Sequence, residues 1–169
     1  MTLQSDLRLT INARQSDALD VDVGDPEGLS HYVRTIQLLT GTGSGQNDQA
    51  VVSAQVAPGS GSTEIDLTGQ PNILGQPMNF TNIKLMAFFL RDGNADEFMI
   101  GPGTTNPWSA PFSGTTPRFR IGRGGICIMS HPTTGWAVTA GSADRLIFIN
   151  TDTSAATIDC VFSGVGTLV

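Results

Sequence analysis

Apolar residues in this chain recur at every second position, and almost nowhere at the spacing of a helical face. Leu7, Leu9, Ile11 and Ala13 alternate with Asp6, Arg8, Thr10 and Asn12, the pattern of a strand with one wet face. Leu19, Val21 and Val23 alternate with Asp20 and Asp22. Tyr32 to Leu39, Ala50 to Ala57 and Glu64 to Leu67 continue the series. Phe80 to Arg91 is the most apolar stretch and reads as the central core strand. Glu97–Ile100, Arg118–Ile121, Ile126–Ser130, Arg145–Asn150 and Thr157–Ser163 complete about ten short strands.

The segments between them carry turn chemistry. Gly41–Asp48 and Pro58–Ser62 are glycine-rich loops, and Gly101–Pro117 is a long Gly/Pro/Thr loop. Asp92-Gly93-Asn94-Ala95 reads as a hairpin turn, because Asp-Gly favours the primed types. Gly122–Gly125 and Asp152–Ser154 read as the turns of two further hairpins. Pro71 to Gln76 is the one place for a helical turn, with proline first and Gly75 four residues on. Turn signals every 8–12 residues predict an all-β, antiparallel β-sandwich or jelly-roll-like fold with little or no helix. With 169 residues and no break in composition, one domain over residues 6–169 is expected. Residues 1–5 are expected to form an N-terminal arm that orders only in an assembly.

Charge narrows the function classes. Lys+Arg number 9 against 15 Asp+Glu, a net of -6, which argues against a general nucleic-acid binder. Charged residues are 14%, well under the usual ~25%. All of the excess negative charge lies in residues 1–66; the rest is balanced. The basic side chains are arginines apart from Lys84. The N-terminus has no basic and apolar segments of a secretory signal, and the longest apolar runs, such as Leu85–Leu90, are too short to span a bilayer.

No catalytic residues, metal ligands or cofactor are expected. His31 and His131 have no zinc spacing with Cys127 and Cys160, and no Gly-x-Ser-x-Gly elbow is present. Asp92-Gly-Asn94-Ala-Asp96-Glu97 begins like a calcium loop but has Glu97 where glycine is required and Gly103 where a bidentate glutamate is required. Asp20, Asp22, Asp25 and Glu27 read as a solvated acidic face rather than a cation site. Gly101-x-Gly103 and Gly122-x-Gly124-Gly125 are followed by no helix, so neither cradles phosphate. Cys127 and Cys160 are expected as buried free thiols; pairing across neighbouring strands is the alternative.

The binding candidates are arginines and loop aromatics. Arg118 and Arg120, two residues apart on a strand, share a face, and with Arg123 they offer a surface for an acidic partner such as the N-terminal region of a second copy. Trp108, Phe112 and Trp136 lie in long loops, placed to bury at an interface, stack on a sugar or plug an end of the sandwich.

Gly124-Gly125 through His131-Pro132, then Gly135-Trp136, Val138-Thr139, Gly141, Asp144 and Leu146, then Asn150, Ile158-Asp159 and Gly164, form a spaced pattern. Ile65-Asp66-Leu67-Thr68-Gly69, Gly75, Phe80, Ile83 and Lys84 extend it upstream. Over residues 64–166 the chain resembles small virion proteins of tailed bacteriophages and is similar to capsid decoration (cement) proteins. That resemblance implies a non-enzymatic β-sandwich structural protein, assembled in the host cytoplasm into the virion. It implies a homo-oligomer, a trimer above others, that bridges subunits of the major capsid protein. The alternative is a carbohydrate- or receptor-binding module of a phage tail or fibre, with Trp108 and Trp136 as stacking platforms.

Overall fold

The computed structural model describes residues 3–16, 27–91 and 97–169, and the side chains of all of these except 13–16 and 27–30. The strands in chain order are β1 (Ser5–Ser16), β2 (Glu27–Thr40), β3 (Gln46–Asn47), β4 (Gln49–Ala57), β5 (Ser62–Asp66), β6 (Thr68–Pro71) and β7 (Pro77–Leu90). They continue as β8 (Glu97–Pro102), β9 (Phe119–Gly122), β10 (Ile126–Ser130), β11 (Trp136–Ala137), β12 (Arg145–Asn150) and β13 (Ala156–Leu168). The described residues contain no helix. The expected strand Leu19–Val23 and the turn at Asp92–Ala95 lie outside them.

The described strands form three sheets. A small one joins β1, β2 and β3, with β3 parallel to the end of β2. Of the two larger sheets, one runs β10-β7-β13-β4, with β6 and β11 also paired to β7, and the other runs β5-β12-β8-β9. The inner faces of these two meet. Phe88 of β7 lies 5.9 Å from Phe148 of β12 and 6.0 Å from Phe119 of β9, ring centre to ring centre. Around them Met78, Ile83, Phe98, Ile100, Leu146, Ile158 and Phe162 are buried in one core. The fold is thus an all-β, antiparallel sandwich, as the alternation predicts.

The partners of individual strands differ from the local expectation. β9 and β10, read as a hairpin around Gly122–Gly125, belong to different sheets. β12 and β13 also separate, and β8 joins β12 rather than returning along β7. Alternation shows that a strand has one apolar face, but any strand with such a face satisfies another. Packing two sheets against each other makes consecutive strands cross the core instead of folding back. Pro71–Gln76 is likewise a turn and not a helix. The Asn72 Oδ1 accepts from the Leu74 and Gln76 amides, and the Asn72 amide donates to the Gln76 carbonyl. The side chain thereby takes the amides that a helix would need.

β7 owes its unusual burial to two register slips. Ser163 faces Leu85 while Gly164 faces Ile83, leaving Lys84 as an extra residue; a second slip follows between Val165 and Gly166. Each bulge shifts the alternation by one, so the core side chains are Met78, Phe80, Ile83, Met86, Phe88 and Leu90 rather than a strict every-second set. Gly164 is required at the first slip: a Cβ there would stand 2.0 Å from the Asn82 carbonyl oxygen.

Cys127 and Cys160 both stand opposite Phe88, on the two strands that flank β7. Two strand spacings, roughly 9–10 Å, separate them, beyond the reach of a disulfide. Both are free thiols, Cys160 buried and Cys127 half-buried. Burial pushes the Cys160 thiol far above its ordinary range, and the adjacent Asp159 adds to this. A buried thiol that stays protonated while its unfolded counterpart ionises contributes stability below the ordinary thiol pKa of about 8.5 and loses it as pH rises further. Lys84, whose pKa burial lowers, acts in the opposite sense, and Cys127, whose thiol burial also raises, acts in the same sense as Cys160. The test is therefore a difference between variants: Cys160→Ala is expected to lose less stability than the wild type between about pH 8 and pH 10, measured as the change in urea midpoint. An equal change in the two proteins would refute the Cys160 contribution.

Candidate functional site: an exposed ribbon and an edge groove

β1 and β2 form a long two-stranded ribbon, with Leu7 opposite Ile36, Leu9 opposite Arg34 and Ile11 opposite Tyr32. Residues directly opposite each other share a face. One face therefore carries Leu7, Leu9, Ile11, Tyr32 and Ile36, with Arg34 among them. The other carries Asp6, Arg8, Thr10, Asn12, His31, Thr35 and Gln37, with Val33. A strand pair of this pattern normally packs its apolar face on a core. Here Leu9 is 42%, Ile11 50% and Tyr32 53% exposed. A lone two-stranded ribbon is marginally stable in water, so what holds this one matters.

Its base is pinned to the sandwich. Leu38 is fully buried. The Asn47 amide, oriented to donate to the Leu38 and Leu39 carbonyls, accepts from the hydroxyls of Ser5 and Ser163. The Thr40 hydroxyl donates to the Leu3 carbonyl. Leu3 to Ser5, the described end of the expected N-terminal arm, are thus held by the chain's own strands; Met1 and Thr2 lie outside the described residues. Lys84 completes the anchor. The bulge aims its ammonium at the loop that follows β2, where it donates to the carbonyls of Gly43 and Gln46. Burial lowers its pKa, and the charge of Asp48 works against that.

A second surface lies where β9, at the edge of one sheet, turns through Gly122–Gly125 into β10, at the edge of the other. Between these edges is an open groove of about 610 Å³ lined by Phe119, Ile121, Ile126, Ile128 and Met129, with Arg120 at its rim. Ile126 is 61% exposed. Neither β9 nor β10 has a strand on its outer side among the described residues, which leaves an unpaired apolar edge of the kind that proteins normally cover.

The predicted binding residues are distributed unevenly over these surfaces. Arg120 pairs with Glu97 at 3.0 Å, both partly solvated, a contact worth about 0.2–1 kcal/mol and readily exchanged. Arg118 instead turns back on its own loop and donates to the Thr116 and Pro117 carbonyls. Arg123 occupies the corner turn. Phe112 stacks on Phe119 at 5.9 Å beneath the groove. Trp136 is half-buried, opposite Ile83 on β7 and edge-on to His131. Trp108 corrects the expectation of a binding aromatic. It is fully buried, its indole N–H donating to the Ala137 carbonyl at 2.6 Å, so it plugs the core and offers no platform to a ligand.

Among the described residues no cluster of His, Cys, Asp or Glu could hold a metal ion, and no helix is long and apolar enough to cross a membrane. The acidic run Asp20, Asp22 and Asp25 lies outside the described residues, as does the side chain of Glu27. Elsewhere carboxylates serve local structure. Partial burial raises the Glu64 pKa, but hydrogen bonds from the Thr104 hydroxyl and amide and the charge of Arg145 outweigh it and hold the carboxyl below its ordinary value.

The ribbon and the groove were not legible as sites in the sequence. The alternation of β1 and β2 was visible, but nothing in it says whether the apolar face is covered. Lys84 did leave a signal, a lone lysine inside the most apolar stretch.

The class these observations define is an all-β sandwich that presents a ribbon and an open edge. No protein-family model matches the chain, and no curated protein matches it. Among solved structures it is similar to the cupin domain of Cnp3 from Schizosaccharomyces pombe, at 10% identity over 92% of this chain and 83% of that one, with a TM-score of 0.35. It is also similar to the mitogen derived from Yersinia pseudotuberculosis, at 10% identity over 68% of this chain and 85% of that one, again with a TM-score of 0.35. Both likenesses are distant.

Proposed function

We propose that this chain is a non-enzymatic structural protein of a phage virion, which decorates the capsid and stabilises it by bridging major-capsid subunits. The observation that carries the reading is the amphipathic ribbon, exposed on its apolar face yet pinned at its base by Leu38, Asn47 and Lys84. A rigid block with a preformed adhesive strip loses little conformational freedom on docking. Repeated around a symmetric shell, modest contacts of this kind add up through avidity. The resemblance of residues 64–166 to decoration proteins supports the same reading. Carbohydrate binding loses one of its two stacking platforms, since Trp108 lies in the core, and keeps the half-buried Trp136.

The test is the copy number of this chain in purified virions, measured by quantitative mass spectrometry. Copies comparable in number to the capsid subunits are expected. A handful per particle would place the protein in a tail or fibre, and none would reject a virion role; either result overturns the proposal.

A further inference from the structure

We infer that β10 pairs edge to edge with β10 of a second copy of this chain, antiparallel about a two-fold axis at Ile128, so that the two sheets continue as one. The inference goes beyond the capsid reading and does not depend on it.

The backbone of β10 gives half of its hydrogen-bonding groups to β7 and turns the other half outward. The Leu90 amide donates to the Gly125 carbonyl, and the His131 amide donates to the Lys84 carbonyl. In an antiparallel pair such bonds recur at every second residue, so Gly125, Cys127, Met129 and His131 bond to β7. The N–H and C=O groups of Ile126, Ile128 and Ser130 point outward, where no strand lies among the described residues. Edges of this kind are usually blunted by a charge, a proline or a bulge. β10 reads Ile-Cys-Ile-Met-Ser and pairs with β7 without a slip, and no Asp, Glu, Lys or Arg occurs from Gly124 to Ala143. None of its 5 residues is fully buried. The other sheet edges are less open. β5 carries Glu64 and Asp66, and β9 carries Arg120. On β4 the Ala50 carbonyl already accepts from the Ile73 amide, and Asn150 ties the turn after β4 to the facing sheet.

Register selects a second β10 as the occupant. With the axis at Ile128, Ile126 stands opposite Ser130 of the other copy and Ile128 opposite Ile128, and every outward N–H and C=O group of both strands is paired. An axis at Cys127 would set Ser130 against Gly124, whose φ of 66° is not extended. An axis at Met129 would set Ile126 against Pro132, which has no N–H. The seam also continues a surface already present. Val52, Val161, Ala87 and Ile128 form a row across the outer face of β4, β13, β7 and β10, and the second copy extends that row from its Ile128. Ile126, 61% exposed in the single chain, gains the same isoleucine as a diagonal neighbour. On the inner face Cys127 comes opposite Met129, at the open groove. An isologous contact of this kind closes as a dimer.

Sedimentation equilibrium on the purified full chain, at low and high salt, tests this. The wild type is expected to be in monomer–dimer equilibrium with no loss of dimer as salt rises, because the seam holds no ion pair. Ile128→Pro removes an outward N–H and spares the bonds to β7. It should keep the circular dichroism spectrum and raise the dissociation constant about tenfold or more. Val52→Lys, on the far strand of the same face, should leave association unchanged. Met129→Cys supplies a gain of signal. It sets a thiol opposite Cys127 of the other copy in a pair of the non-hydrogen-bonded type, about 4.5 Å between Cα atoms, within disulfide range. Copper phenanthroline should then link the two chains, while the wild type, whose Cys127 residues stand diagonally about 7–8 Å apart, should stay unlinked. A wild type that is monomeric or trimeric overturns the inference. So does a dimer unaffected by a folded Ile128→Pro or weakened by Val52→Lys, a Met129→Cys chain that stays unlinked, or a wild type that links through Cys127.

Discussion

Replacing Phe88 with alanine is expected to lower the unfolding free energy by about 3–5 kcal/mol. Phe88 is fully buried at the centre of the sandwich. It touches Phe162 on its own sheet at 5.8 Å and Phe148 and Phe119 on the facing sheet at 5.9 and 6.0 Å. Removing its ring leaves a void that two sheets held apart by their other side chains cannot close, so a cavity cost adds to the lost transfer energy. Since domains are stable by only about 5–15 kcal/mol, this single change takes a large share. The next residue, Phe89, points to the other face and is 36% exposed; Phe89→Ala should cost under about 1.5 kcal/mol. Urea midpoints of the two variants decide the matter. Equal losses would mean that the sheets do not share one core through Phe88.

Lys84→Met should cost about 2–4 kcal/mol, from two charge-assisted hydrogen bonds lost and partly offset by the released cost of burying an ammonium. The effect has a location. The Gly43 and Gln46 carbonyls lose their donor, so the loop after β2 loosens and the base of the ribbon with it. The Leu39 and Gly41 amides, which donate to Gly45 and Asn47 within that loop, are expected to exchange with solvent faster, while amides of β12 keep their protection relative to global unfolding. Uniform acceleration throughout the chain would show that Lys84 supports the sandwich as a whole and not the anchor.

These two residues illustrate what could be read in advance. Phe88 lies in the stretch that its composition marks as the core strand, and a core role follows from that alone. Lys84 lies in the same stretch and breaks its pattern. Its purpose depends on a bulge opposite Gly164 and on a loop some forty residues earlier, neither of which a local pattern contains. Trp108 shows the converse. A tryptophan in a long loop can bury at an interface, stack on a sugar or plug the sandwich, and only the fold, in which the loop turns inward and the indole finds Ala137, decides for the last.

The sequence by itself determined that this chain is built of strands. Side chains that alternate every second residue can bury one face only in extended backbone, and turn residues at short intervals leave no room for helices. It also determined where most strands lie, because Gly, Pro and Asp mark the breaks. Only the tertiary structure decided which strands pair, since all apolar faces look alike to one another and the choice is made by packing two sheets at once. It alone decided which apolar face remains uncovered. Exposure belongs to the arrangement of the whole chain, and the ribbon of β1 and β2 carries the same alternation as the strands that close the core.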